Sequence, residues 1–419
     1  NIYVAASVTG TTEVGGAIGK YRSDVPEKIS YVSAYQNGDN TVGYHFDITN
    51  SSPYKNCYIQ GVIVGAGEKD KDGNRNSVSI TAHDVTAGGI VGDISGSVIV
   101  SHCINYSPIS NGKRYSNKGG GFGFGGIAGD LLRFDEQGRS PLLYYCVNTG
   151  DINADSIVGG VCGRICGNAD NIYLNVQYCA NYGTVTCNEK PNFPSNTGNC
   201  GGVVGEAWSS GVLIVGSANH GNIYANTSLH GLGGIAGVVG YDPHKAFDGV
   251  DEHNGVVIGC ANTGRVENTS TSCDIGGIVG WLEEGDEDKG DASVLGSYNK
   301  GEIPTAGKKD KYYRGGIVGY VDRHAEIRYC LSFLEPSYDS GECDYIWGGE
   351  KGDYSIANNY MIDGPSRDYA GSVSKSNMNK KSSYPKFDLD NEYSYWKMKD
   401  GDPHPQIRYC PFQNATYNK

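Results

Sequence analysis

Gly88-Gly-Ile-Val-Gly92 returns along the chain as Gly125–Gly129 (GGIAG), Gly159–Gly163 (GGVCG), Gly201–Gly205 (GGVVG), Gly233–Gly237, Gly276–Gly280 and Gly315–Gly319. Successive copies begin 32 to 43 residues apart, and Gly15–Gly19 (GGAIG) is an outlying early copy. A period of this size marks a repeat architecture rather than a string of ordinary domains. Each copy is followed by a second block, read in Leu143-Tyr-Tyr-Cys146-Val-Asn148, Val176-Gln-Tyr-Cys179-Ala-Asn181 and Val257-Ile-Gly-Cys260-Ala-Asn262. A third block closes the unit: Gly150-Asp-Ile152, Gly183-Thr-Val185, Gly221-Asn-Ile223, Gly264-Arg-Val266 and Gly301-Glu-Ile303.

The unit therefore reads as three short strands punctuated by Asn-x-Gly. Strands this short cannot bury a face alone. Stacked in register, each pairs with its equivalent above and below. The expected fold is all-β: a right-handed parallel β-helix, or solenoid, with three strands per coil and capped ends. Residues 1–87 read as degenerate N-terminal coils or a cap, 88–345 as the repeat array, and 346–419 as a C-terminal cap with one short helix near 375–381. Asn105, Asn148, Asn181, Asn219, Asn262 and Asn299 should stack at strand spacing as a ladder. The glycine after each Asn-x should supply a positive φ.

Composition agrees. Glycine fills 63 of 419 positions without a G-X-Y period, which excludes collagen. A 38% apolar content with 31 tyrosines is too rich for a disordered chain. The net charge of −13 argues against nucleic acid and anionic membrane surfaces as partners. No apolar stretch is long enough to span a membrane. Asn1-Ile-Tyr-Val4 reads as the start of a chain whose export signal has been removed.

The unit GG[IV][VA]G…C-x-N-x-G-[IV] resembles the GLUG-type repeat of bacterial surface proteins, over roughly residues 85–410. Trp396 with Pro403–Ile407 is similar to the ending of such proteins. The resemblance implies a secreted or cell-surface protein, in a family that includes adhesin-like proteins and appendages of immunoglobulin-A peptidases. It implies no catalytic residue.

Thirteen cysteines is an odd number. Cys103, Cys146, Cys179, Cys260 and Cys330 share one repeat position, with Ser217 and Ser297 as substitutes, and should form a buried column of thiols. Cys162, Cys166, Cys187, Cys200, Cys343 and Cys410 lie off it and are open to pairing. With no C-x-x-C, a zinc site is disfavoured.

No metalloprotease, nucleophile-elbow or Walker motif occurs. Asp70, Asp72, Asn74 and Asn76 alternate as in a calcium loop, but Thr81 stands where an EF-hand needs glutamate. Calcium is the ion such a loop would take, a plain polar turn being the competing reading; Asp286, Asp288 and Asp291 are weighed alike. The residue after each repeat's last glycine runs Asp93, Asp130, Arg164, Glu206, Val238, Trp281, Tyr320. Stacked coils make Asp93 and Asp130 neighbours beside Arg164. That set would suit a polysaccharide hydrolase or lyase, against the plainer reading of a charged corner. Trp208, Trp281 and Tyr320 offer an exposed aromatic row for sugar rings or a protein surface. The expected function is a surface binding or adhesion module for an extracellular glycan or host glycoprotein, requiring no cofactor. A carbohydrate-active solenoid enzyme is the alternative.

Overall fold

The computed structural model describes residues 2–11, 13–22, 30–37, 40–48, 58–65, 78–83, 86–112, 123–133, 140–167, 173–188, 198–208, 211–240, 255–269, 273–283, 292–304, 313–334, 343–350 and 354–414. The chain is a parallel β-solenoid. One coil runs through Ala87–Gly88, Val91–Ser95, Ile99–Ser101, Ile104–Asn105 and Ile109–Asn111. Each strand pairs parallel with its equivalent one repeat on, giving five sheets of nine, nine, nine, eleven and seven strands. We number these sheets one to five in the order in which a coil visits them.

A coil thus has five strands where three were expected. The first glycine of the Gly-Gly pair ends the sheet-one strand, as Gly88 does, and the second opens the turn between sheets one and two. The second block breaks at the residue before the cysteine, where His102, Tyr145, Tyr178 and Tyr329 have φ of 53°, 51°, 53° and 57°. Gly216, Gly259 and Gly296 hold the same corner at 58°, 59° and 55°. This left-handed backbone separates sheet three from sheet four. The glycines of Asn-x-Gly do not have positive φ, contrary to expectation. They are required by close approach instead, since a Cβ on Gly183 would lie 2.0 Å from the Gly150 carbonyl oxygen.

The asparagine ladder is present and continuous. Asn105 Nδ2 donates to Asn148 Oδ1 at 2.9 Å, and the pattern repeats through Asn181, Asn219, Asn262 and Asn299 at 2.8 Å per step. Each Nδ2 also donates to the carbonyl two residues on, as Asn219 does to Gly221 at 2.8 Å. Every rung is fully buried, so each amide replaces water for backbone groups that would otherwise be orphaned. The ladder also explains the second glycine of the motif. A Cβ on Gly234 would lie 2.5 Å from Asn262 Cγ, and one on Gly202 2.4 Å from Asn219 Cγ. The first and second blocks of a repeat thus meet across the tube.

The cysteine column is buried and unpaired, and its thiols point at carbonyls, Cys146 Sγ lying 3.3 Å from Val100 O. Serine does the same work: Ser217 Oγ donates to Val215 O at 3.1 Å. Cys162, Cys166, Cys187, Cys200 and Cys410 are also unpaired; the side chain of Cys343 lies outside the described residues. Stacked columns such as Ile90, Ile127, Val161, Val203, Ile235, Ile278 and Ile317, all fully buried, fill the tube.

The early segment joins the same sheets: Ile2–Val4 pairs with Val62–Val64, and Val14–Gly15 with Ala87–Gly88. An antiparallel hairpin, Ser30–Asn37 with Asn40–Ile48, is inserted between strands of sheets two and three. The coils also continue past 345, through Trp347–Glu350, Tyr354–Ala357 and Asn359–Ile362.

The C-terminal segment was expected to close the last coil. Only Ala370–Val373 does so, pairing with Asn359–Ile362. In place of one short helix there are two 3-10 turns, Lys375–Asn377 and Lys381–Ser383. Residues 384–413 then run back along the flank of the solenoid as a strap. They cover a second apolar cluster outside the tube, in which Leu213, Ile258, Tyr298 and Leu331 meet Tyr384, Phe387, Trp396 and Ile407. Trp396 is fully buried; it stacks on Phe387 at 4.7 Å and donates Nε1–H to Tyr329 O at 2.6 Å. The strap's far end reaches His220, whose Nε2 lies 2.9 Å from Phe412 O. Among the described residues no helix is long and apolar enough to cross a membrane.

Candidate functional site

Two surfaces carry polar and aromatic side chains in concentrated form. The first is a furrow between sheets one and two. The last glycine of each motif lets these sheets touch: a Cβ on Gly163 would lie 2.3 Å from Phe124 N. The residues that follow this glycine form one column, in the register Lys20, Asp93, Asp130, Arg164, Glu206, Val238, Trp281, Tyr320, Gly349. Asp93, Asp130 and Arg164 are therefore adjacent in the expected order.

Their surroundings differ from an open catalytic cleft. Asp93 and Asp130 are only 5% and 4% exposed, so they are buried within the seam. Lys20 Nζ lies 3.0 Å from Asp93 Oδ2. Arg164 Nη2 donates to Asp130 Oδ2 at 2.7 Å, and Thr86 Oγ1 donates to the same oxygen at 3.0 Å from across the furrow. Asn199 Nδ2 holds Glu206 Oε2 at 2.7 Å. Burial pushes the Asp93 carboxyl up, and Lys20 pulls it only part of the way back. Burial is the largest single influence and works against the Arg164 charge, but its neighbours, Asp130 foremost, together outweigh it and raise the guanidinium pKa. Each carboxylate is thus committed to a partner, the arrangement of a buried ion network.

Further along, the furrow turns aromatic. Trp281 and Tyr320 are neighbours, with ring centroids 5.8 Å apart and edge to face. Tyr313 stacks on Tyr320 at 5.3 Å and His230 approaches Trp281 at 5.1 Å. Trp281 and Tyr320 are half-buried rather than exposed. Below them burial pushes Asp274 up to about 7, although its Oδ1 accepts from Tyr313 N at 2.9 Å. Trp208 is not in this row. It pairs with Cys166 and Gly240, two positions past Glu206, and its side chain lies outside the described residues. Asp70, Asp72, Asn74 and Asn76, with Asp286, Asp288 and Asp291, also lie outside them. Among the described residues no group of three or more His, Cys, Asp or Glu is placed to hold a metal. Lys20 follows the last glycine of the early copy Gly15–Gly19, so the rule that gathered Asp93 and Asp130 also finds it.

The second surface was missed in the sequence. A pocket of about 710 Å³ opens where the strap crosses the left-handed corners. Its lining includes Tyr145, Tyr178, Lys397, Lys399, Asp402 and Arg408. Tyr145 and Tyr178 meet edge to face at 5.1 Å, and Tyr145 stacks on exposed His102 at 5.5 Å and 8°. Burial pushes the Tyr178 phenol up to about 12. On the strap, Trp396 and Met398 face the solenoid and are buried, which leaves Lys397 and Lys399 on the other side. Arg408 is fixed by backbone carbonyls: Nε donates to Ser394 O at 3.1 Å and Nη2 to Asn391 O at 2.8 Å. Asn414 donates to the Gln406 side chain at the rim. A sequence signal for the floor exists, namely the aromatic residue before the cysteine in His102-Cys103, Tyr145-Cys146 and Tyr178-Cys179. The rim has no comparable signal, because it depends on where the strap lands.

A tyrosine in the left-handed region costs roughly 1–2 kcal/mol relative to glycine. Other coils put glycine at this corner. The same strain is retained at His102, Tyr145, Tyr178 and Tyr329, and at the two of these that floor the pocket it points to a use for the rings. Comparison of the chain with protein-family models, with curated proteins and with solved structures yields no match in any of the three.

Proposed function

We propose that the protein is a non-enzymatic binding module that takes a glycan in the pocket between the Tyr145/Tyr178 corner and the strap. One observation carries this reading: two tyrosine rings floor a concave site of about 710 Å³ whose rim holds ammonium, guanidinium, carboxylate and amide groups. Sugar rings have one apolar face and a hydroxylated edge. An aromatic floor matches the face, and mixed donors and acceptors match the edge. Placement at the bacterial cell surface or outside the cell rests on the likeness of the repeat to the GLUG type. On this reading the solenoid is a rigid spacer and the buried Asp93–Asp130–Arg164 network is structural.

The test is a glycan array probed with the full chain and with Tyr145→Gly and Tyr178→Gly. Glycine is native to this corner in four other coils, at Gly61, Gly216, Gly259 and Gly296, so these variants keep the backbone while removing the floor. Binding to at least one glycan class, reduced tenfold or more by each change, supports the reading. Binding that survives both changes overturns it, as does failure of the wild-type protein to bind any glycan.

A further inference from the structure

We infer that the pocket selects acidic sugars, those bearing a carboxylate or a sulfate ester, over neutral ones; this rests on the glycan reading above. The chain as a whole carries a net charge of −13. The pocket reverses that sign. Lys397, Lys399 and Arg408 line it against one carboxylate, Asp402.

The availability of these charges decides what they can do. Asp402 Oδ2 accepts from the Lys399 backbone N–H at 2.7 Å, so it is occupied in shaping the turn. Arg408 is committed to backbone carbonyls through Nε and Nη2 and acts as a fixed positive wall. Gln413 is likewise occupied, accepting from Ile407 N at 2.7 Å and donating to Cys410 O at 3.1 Å. The Lys397 and Lys399 ammonium groups have no carboxylate partner among the described residues, although carboxylates outnumber cations in the chain 47 to 34. Two ammoniums in a segment whose alternate residues Trp396 and Met398 are buried, beside an aromatic floor, form a site for a ring that carries a negative charge. The ring lies on Tyr145 and Tyr178, and its acidic group meets the two lysines.

Affinity would be measured by titration calorimetry against three probes: hyaluronan decasaccharide (carboxylate only), heparin decasaccharide (carboxylate and sulfate) and cellohexaose (neutral). The inference expects at least one acidic probe to bind ten times more tightly than cellohexaose. That binding should weaken as salt rises from 50 to 300 mM. The variants Lys397→Gln and Lys399→Gln should each cost threefold or more without moving the thermal midpoint. Comparing the two acidic probes identifies the preferred anion. Equal binding of cellohexaose, unaffected by salt and by both lysine changes but lost in Tyr178→Gly, would overturn this inference and leave the glycan reading standing. No binding to any probe or array glycan would overturn both.

Discussion

Gly296 lies directly beneath Tyr395: a Cβ on Gly296 would sit 2.5 Å from the Cβ of Tyr395. The same holds one and two coils back, where Gly259 lies under Ile407 and Gly216 under the Tyr409 carbonyl. These three glycines are consecutive at a corner that elsewhere carries Gly61, His102, Tyr145, Tyr178, Tyr329 and Asn358. The path of the strap is thus written into the repeat as a run of glycines flanked by aromatics. Tyr329 packs against Tyr395 at 5.7 Å on one side, and Tyr145 against Phe412 at 6.1 Å on the other.

This arrangement predicts opposite signs for two substitutions at one corner. Gly296→Ala adds left-handed strain and a clash with the strap, and should cost about 2 kcal/mol or more. His102→Gly, at an exposed corner, should gain up to about 1 kcal/mol. Urea denaturation of both variants checks this. Equal effects would contradict the strap's position.

The ladder predicts a position effect. Asn219→Ala removes the donor to Gly221 O and Asn262 Oδ1 and the acceptor for Asn181 Nδ2. The loss should be about 3 kcal/mol, because buried partners are left unmatched. Asn105→Ala, at the end of the ladder, breaks one inter-rung bond and should cost less. A ladder with no energetic role would show equal, small losses.

The furrow predicts a strong coupling between Asp130 and Arg164. Arg164→Met leaves a buried carboxylate with Thr86 alone and should cost about 3 kcal/mol. Adding Asp130→Asn should recover most of it. A double-mutant cycle measures this. Additive losses, together with polysaccharide cleavage abolished by either change, would favour the enzyme reading instead.

His404 predicts a pH dependence. It is 1% exposed, and its Nδ1 lies 2.7 Å from Pro405 O, so Nδ1 carries the proton and Nε2 accepts from Lys300 Nζ at 2.9 Å. Burial first, and then the Lys300 charge, pushes His404 down to about 4 from its ordinary 6.5. The unfolded chain takes up this proton near pH 6.5; the native one does so only near 4. The contribution is full above pH 6.5 and is lost as the pH falls toward 4, by at most about 3 kcal/mol. The fall in denaturation midpoint from pH 7.5 to 4.5 should be smaller in His404→Gln than in the wild type. Parallel curves would refute the assignment.

Much of this was legible because it repeats. Parallel stacking, the ladder, the cysteine column and the Asp93–Asp130–Arg164 order all follow from residues at one repeat position. The number of strands was not legible: a left-handed corner such as Tyr178 looks like any strand tyrosine until its φ is known. Nor was the strap. Residues 384–413 do not repeat, and what tells them to lie on the flank is three glycines in other coils, which read in the sequence as ordinary variation. The pocket joins residues more than 200 positions apart, Tyr145 with Lys397, and needs the strap in place before it exists.

Hydrogen exchange on the full chain tests the central claim most directly, because the pocket stands or falls with the strap. The account predicts that backbone amides in the strap that donate within the protein, including Trp396, Ile407, Arg408 and Gln413, exchange orders of magnitude slower than in the unfolded chain, and that Gly296→Ala speeds them selectively. Exchange over 395–413 at unfolded rates, beside protected coils, would contradict it.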